Sequence, residues 1–352
     1  MEHAPWMQRC LQLAAHGAGH AAPNPMVGAV LVRGDRILAE GWHHAHGGPH
    51  AEVECLNAFG DAAIPADAVL YVSLEPCSHT GLTPPCADML IARGVRTVVV
   101  GCSDPDPRVA GNGIRRLRDA GIAVIADVLR DHCRWQNRRF ITSVEQQRPY
   151  IILKWARSSD GFLDQHPRRE RGVQRISSFA SDVLVHRWRS EEQAIMVGSR
   201  TVLNDDPRLD VRHVAGRSPL RVVLDRTCIA PASSRIFDGN APTLLFSRSL
   251  RDDVGIEQCV LEPDRDPLPA VLAELQRRQL RSILVEGGGE LLGHFIRSGL
   301  WDEAREIVGE VLMLQGTRAP RMGMLPQRSF TSGSDRIHLH TRSSTPDPAW
   351  RW

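Results

Sequence analysis

One group of residue types in this sequence is suited to binding a transition metal. His50 and Glu52 are two residues apart in a His-Ala-Glu segment, and Cys77 and Cys86 follow in Glu-Pro-Cys and Pro-Pro-Cys segments. One imidazole and two thiolates form a set that Zn²⁺ favours, and a catalytic zinc site keeps its fourth position for water. Glu52 can reach that water without being a ligand. The pattern predicts one Zn²⁺ per chain, held by His50, Cys77 and Cys86.

This ligand set predicts a hydrolytic reaction. Zinc activates a bound water, and a nearby carboxylate can move the water's proton. Together they suit hydrolytic deamination, with Glu52 delivering protons to a ring nitrogen and to the departing ammonia. Two alternatives stay open: structural cysteines beside an unrelated histidine, and a closed zinc site with His79 as fourth ligand. We expect His43, His44 and His46 to be solvated loop residues.

The elements that position these residues alternate between strand and helix. The apolar runs at 26–32 and 68–74 are typical of strands, and those at 51–59 and 86–94 are typical of helices, with at least one parallel βαβ unit. Cys77 then follows a strand and Cys86 opens a helix. Free backbone N–H groups and the helix dipole favour thiolate over thiol there.

The length of the chain limits the number of domains, and its net charge limits the kinds of partner. The 352 residues predict about two domains, which we place at 1–146 and 147–340, followed by a loose tail at 341–352. We expect a short helix and a linker at 131–149. The net charge of +2, without long single-sign blocks, argues against a nucleic-acid partner. No apolar run approaches the roughly 18 residues of a membrane span, so we expect a soluble, cytoplasmic protein without a membrane partner.

Two features mark the second half. Lys154 is the single lysine of the chain, which is either a chance survivor of arginine-biased composition or a functional residue. A predicted strand ends in Gly287-Gly288-Gly289 and leads into a helix. Such a turn leaves backbone N–H groups free to hold a pyrophosphate, although glycines also make ordinary strand-to-helix turns.

The first half resembles the deaminase half of the bifunctional riboflavin-biosynthesis deaminase/reductase family. The matching segments are Asn24-Pro25-Met26-Val27-Gly28, His50-Ala51-Glu52, Leu74-Glu75-Pro76-Cys77-Ser78-His79 and Thr83-Pro84-Pro85-Cys86. Nucleic-acid deaminases of this superfold usually have two residues between their cysteines, and this chain has eight. The resemblance implies that Asn24 and His79 contact a pyrimidine. Asn-Pro is also a common start of a turn, so the alternative is that Asn24 only shapes the backbone there.

The second half resembles the same family's reductase domain, with matches at 154–161, 197–209 and 285–289. The resemblance implies NADPH as cofactor, with Lys154 and Glu286 as catalytic residues. It implies substrate contacts at Arg189, Leu209, Arg212 and Glu286, and cofactor contacts at Ala156, Thr201, Asp205, Gly287, Gly288 and Gly289. Arg226 follows a strand at a position where a ribose 2′-phosphate could pair with it. Arginine suits phosphate recognition, but Arg189 and Arg212 could also be solvated surface residues.

Together the resemblance implies a cytidine-deaminase-like α/β/α domain followed by a dihydrofolate-reductase-like α/β domain. The activities are those of a cyclic amidine hydrolase and an NADP-dependent oxidoreductase, in a homo-oligomer (dimer or tetramer) acting on a phosphorylated pyrimidine. Segment 166–177 departs from the family's Gly-Glu/Asp-Ser-x-Trp-Ile-Thr pattern, which leaves room for an arginine there to hold a phosphate. The alternatives are a nucleic-acid base deaminase with an accessory domain, or a deaminase with a weakened reductase half.

Overall fold

The computed structural model describes residues 2–78, 84–107, 109–168 and 170–343. The chain forms two compact units and passes from the first to the second between Gln147 and Arg148. Within the described ranges, every helix is too short or too polar to cross a membrane. Most of the predicted tail lies outside these residues.

The first unit is a mixed sheet flanked by helices. Its strands are β1 (Gly28–Arg33), β2 (Arg36–Trp42), β3 (Ala68–Leu74), β4 (Thr97–Cys102) and β5 (Ala123–Ile125), in the order β2-β1-β3-β4-β5. β1 is antiparallel to both neighbours, whereas β3, β4 and β5 are parallel. The helices are α1 (Ala4–Ala15), α2 (Ala51–Phe59), α3 (Cys86–Ala92), α4 (Asn112–Asp119), α5 (Arg130–Gln136) and α6 (Arg138–Gln146).

Both faces of this sheet are covered, which explains its nearly continuous apolar strands. In β3, Leu70 and Val72 belong to one buried cluster, and Tyr71 belongs to another on the opposite face. The expected parallel βαβ unit is present as β3-α3-β4. Sequence reasoning missed α1, although Met7, Cys10, Leu11 and Ala14 carry an apolar helical spacing and are all buried.

Of the short helix and the linker expected at 131–149, the short helix is present as α5, but the linker is wrong. Two helices, α5 and α6, occupy this stretch, and Phe140 and Ile141 of α6 are buried. Arginines crowd the segment and obscured its apolar face. Asn137 joins the two helices to the segment that precedes β1, because its side chain bonds both backbone groups of Met26 at 2.8 and 2.9 Å.

The second unit contains a larger sheet. Its helices are α7 (Phe179–Glu191), α8 (Ser199–Asp205), α9 (Pro267–Arg277) and α10 (Gly289–Arg297). Its strands are β6 (Tyr150–Arg157), β7 (Phe162–Asp164), β8 (Ala194–Gly198), β9 (Leu220–Leu224), β10 (Thr243–Ser247), β11 (Glu257–Val260), β12 (Ser282–Val285), β13 (Glu303–Val308), β14 (Thr317–Arg318), β15 (Arg328–Ser332) and β16 (Asp335–Thr341).

The strand order of the main sheet is β11-β10-β9-β8-β12-β6-β13-β16-β15, and β7 pairs separately with β14. The seven strands from β11 to β13 run parallel, and β16 and β15 continue the sheet antiparallel. In the central strand β6, Ile151 and Leu153 face one buried cluster and Ile152 faces another. In each unit, predicted site residues follow a parallel strand: Cys77 follows β3, and Glu286 follows β12. The carboxyl ends of parallel strands are where α/β sheets usually bind ligands.

Candidate active sites

The three predicted metal ligands converge in the first unit. His50 Nδ1 lies 3.3 Å from Cys86 Sγ and 3.6 Å from Cys77 Sγ, and the three ligand atoms lie within 4.8 Å of one another. His50 precedes α2, Cys77 follows β3 and Cys86 opens α3. Among the described residues, this is the one cluster of at least three His, Cys, Asp or Glu side chains with metal-ligand spacing.

The charges of this cluster suit a metal ion. The hydrogen bond from the Cys86 side chain, with a smaller contribution from His50, lowers the pKa of Cys77 to about 4. The same interaction raises the pKa of Cys86, because the two sulfur atoms share one proton. The backbone N–H of Cys86 also donates to Cys77 Sγ at 3.3 Å. A thiolate, a second thiol and an imidazole at these separations fit tetrahedral Zn²⁺.

Glu52 lies in the first turn of α2 and is buried. Burial raises its pKa to about 7, although the charge of His50 acts in the opposite direction. A carboxyl group with this pKa can accept and release a proton near neutral pH, as a proton shuttle requires.

The expectation for the neighbouring histidines is wrong in one case. His44 and His46 are exposed, but His43 is only 2% exposed. Its Nδ1 lies 2.8 Å from Pro49 O, so Nδ1 donates and Nε2 is left to accept from Asn24 Nδ2 at 3.1 Å. This bond orients the Asn24 amide so that Oδ1 is its acceptor, and that oxygen also lies 3.3 Å from His46 Nδ1. His79 lies outside the described residues.

The second unit contains a cavity of about 740 Å³ at the carboxyl ends of its parallel strands. Most of the predicted residues line it: Lys154, Ala156, Arg189, Thr201, Asp205, Leu209, Arg212, Arg226, Glu286, Gly288 and Gly289. Gly287 is not among the lining residues. A Cβ on Gly287 would lie 2.6 Å from Val197 Cα, so glycine is needed there for close packing on β8.

Glu286 is the centre of a charge cluster in this cavity. Arg189 donates to both of its oxygens, at 2.8 and 2.7 Å, and Lys154 Nζ lies 3.6 Å from Oε2. Burial would raise the pKa of Glu286, but the charges of Arg189 and Lys154 lower it to about 2. Arg189 is therefore not a solvated surface residue, whereas the Arg212 side chain is 46% exposed and bonds Asp210.

His186 also lines this cavity and was missed by sequence reasoning. Its Nδ1 accepts from the backbone N–H of Arg212 at 3.1 Å. Burial, together with the charges of Arg189 and Arg212, lowers its pKa to about 4, so the ring is neutral at neutral pH. Its position three residues before Arg189 on α7 was the available signal, because residues at this spacing share one helix face.

The glycine turn before α10 forms a cradle for an anion. Gly288 precedes the helix with φ of 41°, and a Cβ there would lie 3.3 Å from Thr201 Oγ1. Backbone N–H groups at a helix start, without a side chain in front of them, suit a pyrophosphate. The cavity therefore fits a dinucleotide cofactor.

Arginines of the divergent segment 166–177 bond mainly to the protein itself. Arg168 bonds both oxygens of Asp164 at 2.8 Å and Asp205 Oδ1 at 2.6 Å. Arg171 bonds Leu203 O and Ser234 Oγ. Arg175 pairs with Asp182 Oδ2 at 3.1 Å, but its side chain is 69% exposed and lines the cavity. Among the described arginines of this segment, Arg175 has the most exposed charge for a ligand. Arg169 lies outside the described residues.

Comparisons with known proteins cover both units. Residues 1–102 match the cytidine and deoxycytidylate deaminase zinc-binding region, and residues 149–326 match the RibD C-terminal domain. The riboflavin biosynthesis protein RibD of Bacillus amyloliquefaciens is 37% identical over 345 residues, covering 95% of this chain and 91% of that protein. The RibD of Aquifex aeolicus is 36% identical over 327 residues, covering 91% of this chain and 90% of that protein.

Two solved structures agree. The diaminohydroxyphosphoribosylaminopyrimidine deaminase/5-amino-6-(5-phosphoribosylamino)uracil reductase of Thermotoga maritima has a TM-score of 0.84 at 32% identity, covering 96% of this chain and 97% of that chain. One crystal form of Acinetobacter baumannii RibD has a TM-score of 0.87 at 32% identity, covering 97% and 99%. The predicted fold, a cytidine-deaminase-like domain before a reductase domain, is confirmed.

Proposed function

This chain belongs to the family of bifunctional riboflavin-biosynthesis deaminase/reductases, and from that membership we propose that its two sites act in succession on one phosphorylated pyrimidine. The first site removes the 2-amino group of 2,5-diamino-6-ribosylamino-4(3H)-pyrimidinone 5′-phosphate by hydrolysis. The second reduces the ribosyl group of the product to ribityl, giving 5-amino-6-ribitylamino-uracil 5′-phosphate. The observation that carries this proposal is that each unit holds a complete set of reactive groups.

In the first unit, His50, Cys77 and Cys86 would hold zinc, which supplies the Lewis acidity that activates water. Glu52 would take one proton of the attacking water and pass it to the ring nitrogen, and then take the remaining hydroxyl proton from the ring carbon's adduct and deliver it to the amino group, which leaves as ammonia while the C=O bond forms. Its pKa of about 7 suits both directions of transfer. Asn24 Oδ1, fixed as an acceptor by His43, binds an N–H group of the pyrimidine.

In the second unit, Gly288, Gly289 and Thr201 would hold the NADPH pyrophosphate, and NADPH supplies the hydride. The reduction also needs a proton at the substrate oxygen. We assign that transfer, or the orientation of the sugar, to Lys154, because it is a cation beside the carboxylate of Glu286. Arg189 keeps Glu286 ionised and in place.

The remaining predicted contacts of this cavity recognise anions and shape. Arg212 is assigned to the substrate phosphate, since its exposed guanidinium can reach a ligand, and Leu209, which lines the same cavity, is assigned to a substrate contact. Arg226 is assigned to the cofactor's 2′-phosphate. Asp205 and Ala156 line the cofactor side of the cavity.

We further propose that the protein is a cytoplasmic homo-oligomer, a dimer or tetramer. All eight cysteines are outside disulfide bonds, which agrees with a reducing compartment. Light scattering on the purified protein measures its mass directly, and a monomer at micromolar concentration would contradict the oligomer.

Removal of zinc with a chelator distinguishes the two proposed reactions. We expect a chelator to abolish ammonia release from the diamino substrate, and added Zn²⁺ to restore it. NADPH oxidation with the deaminated intermediate should continue unchanged in the chelated enzyme. Ammonia release that survives complete zinc removal would refute the first site, and absence of NADPH oxidation would favour a weakened reductase half.

A further inference from the structure

Glu75 is a buried carboxylate that the proposed mechanism leaves without a task. It follows β3 directly, stands two residues before Cys77, and is only 4% exposed. Its Oε1 accepts from the backbone N–H groups of Gly113 and Ile114, at 3.0 and 3.2 Å. Its Oε2 accepts from those of Asp104 and Gly111, at 3.2 and 3.0 Å. All four partners are donors, which suits a carboxylate because it carries only acceptors.

These bonds make Glu75 the cap of a distant helix. Gly111 precedes α4 with φ of 80° and has no side chain with which to cap it. The N–H groups of Gly113 and Ile114 in the first turn need an acceptor, and a negative charge at this end is favourable. Glu75 therefore ties the end of β3 both to the start of α4 and to the loop that follows β4.

The start of α4 also packs closely against Pro76, the residue between Glu75 and Cys77. A Cβ on Gly113 would lie 1.9 Å from Pro76 O, so only glycine allows α4 to approach this closely. Beyond Pro76, Cys77 is fixed from α3, because Cys77 O accepts from Ala87 N at 3.1 Å and Cys77 Sγ from Cys86 N at 3.3 Å. Cys77 is thus held from two sides, by Glu75 and α4 and by α3.

We propose that Glu75 is a positioning residue for the metal site, holding Cys77 where its sulfur can ligate the same ion as His50 and Cys86. The proposal rests on the zinc site assigned above. A glutamine side chain has the same length, but its single oxygen can accept and its NH₂ group would face backbone donors. Groups that orient a metal ligand usually change metal affinity about 10- to 100-fold when they are replaced.

The test is zinc affinity in the full-length protein, measured by competition with a chromophoric chelator. We expect Glu75→Gln to weaken zinc binding about 10- to 100-fold. The matched control is Glu40→Gln, which removes another carboxylate of the first unit. Glu40 lies on β2, far from Cys77 in sequence, and its two oxygens accept from Arg9 at 2.6 and 2.8 Å. We expect this control to bind zinc within about threefold of the unaltered protein.

A second readout separates positioning from general stability. In the Co²⁺-substituted protein, the thiolate-to-metal and d–d absorption bands report the ligand geometry, and we expect Glu75→Gln to shift them and Glu40→Gln to leave them. Glu75→Asp, which keeps the charge, should recover part of the affinity. If Glu75→Gln does not fold, Gly113→Ala displaces the same loop from the α4 side and should also weaken zinc binding.

The outcomes are distinguishable. Unaltered zinc affinity and cobalt spectra in Glu75→Gln would overturn the positioning role while leaving the zinc site intact. An unaltered protein that binds no zinc would overturn both this role and the proposed deaminase site. NADPH oxidation with the deaminated intermediate should match the unaltered protein in every variant, which verifies that the second unit has folded. A cooperative thermal unfolding transition of the first unit in each variant verifies the same for the unit that carries the substitution.

Discussion

Two buried glutamates, one in each unit, have opposite pKa shifts. Burial raises the pKa of Glu52 to about 7, whereas Arg189 and Lys154 lower that of Glu286 to about 2 against the effect of burial. Glu52 can therefore exchange a proton near neutral pH, and Glu286 remains a fixed anion. One residue type performs two tasks because its neighbours differ in charge.

The difference shows what each reaction needs from the protein. Deamination moves protons between water, ring nitrogen and ammonia, which requires a group that changes its protonation state. The reduction requires a cation near the substrate oxygen, and a fixed carboxylate holds Lys154 in place. Replacing residues in either cluster should alter one reaction and leave the other unchanged.

The largest effect is expected from removing the proton shuttle. Glu52→Gln keeps the shape of the side chain but cannot carry the proton, so deamination should fall at least about 10³-fold. Ammonia release measures this loss. Zinc content should stay near one per chain, and retained turnover with bound zinc would refute the role of Glu52.

A loss of about 10²-fold is expected for Lys154→Arg in the reduction. Arginine keeps the positive charge but does not release a proton easily, and its planar fork does not fit the position of an ammonium group. NADPH oxidation with the deaminated intermediate measures the change, and ammonia release is the internal control. An unchanged oxidation rate would show that Lys154 does not act in the reaction.

Arg189→Met should convert Glu286 into a titrating group. Without its bidentate partner, burial raises the pKa of Glu286 towards neutrality, so an acid limb should appear in the pH profile of the reduction and the rate should fall about 10-fold at pH 6. In the unaltered protein the folded pKa of about 2 lies below the usual value of 4.5. The stability that Glu286 contributes is therefore present above pH 4.5 and is lost as the pH falls towards 2. If the pH profile of the variant matches that of the unaltered protein at acid pH, Arg189 does not keep Glu286 ionised.

The smallest effect is expected at Arg168. Arg168→Met leaves Asp164 and Asp205 without their shared cation, and their negative charges should repel the phosphates of NADPH. We expect the KM for NADPH to rise about 5- to 10-fold with little change in kcat, since binding rather than chemistry is altered. Initial rates over a range of NADPH concentrations measure both constants. A fall in kcat alone would mean that Arg168 acts on the reaction itself.

The sequence predicted the ligands and the alternation of strands and helices well, because these depend on local residue type and spacing. His50, Cys77 and Cys86 come together as expected, and Lys154 of β6 meets Glu286, which directly follows the adjacent strand β12. His43 and His186 were not predicted, since their roles depend on hydrogen bonds to Asn24 and Arg212 that form only in the folded chain.

The arginines show the same limit. Sequence could not distinguish Arg189, which is buried against Glu286, from Arg212, which is exposed. Nor could it show that Arg168 already binds Asp205, the residue expected at the cofactor. Both outcomes depend on partners distant in the chain, and with 42 arginines local spacing cannot assign them.

The most direct test of two successive reactions in one chain is the ratio of ammonia released to NADPH oxidised when the protein is given only the diamino substrate. We predict one ammonia per NADPH, with ammonia appearing first, and no NADPH oxidation in Glu52→Gln until the deaminated intermediate is added. NADPH oxidation without ammonia release would contradict this order and the assignment of the two sites.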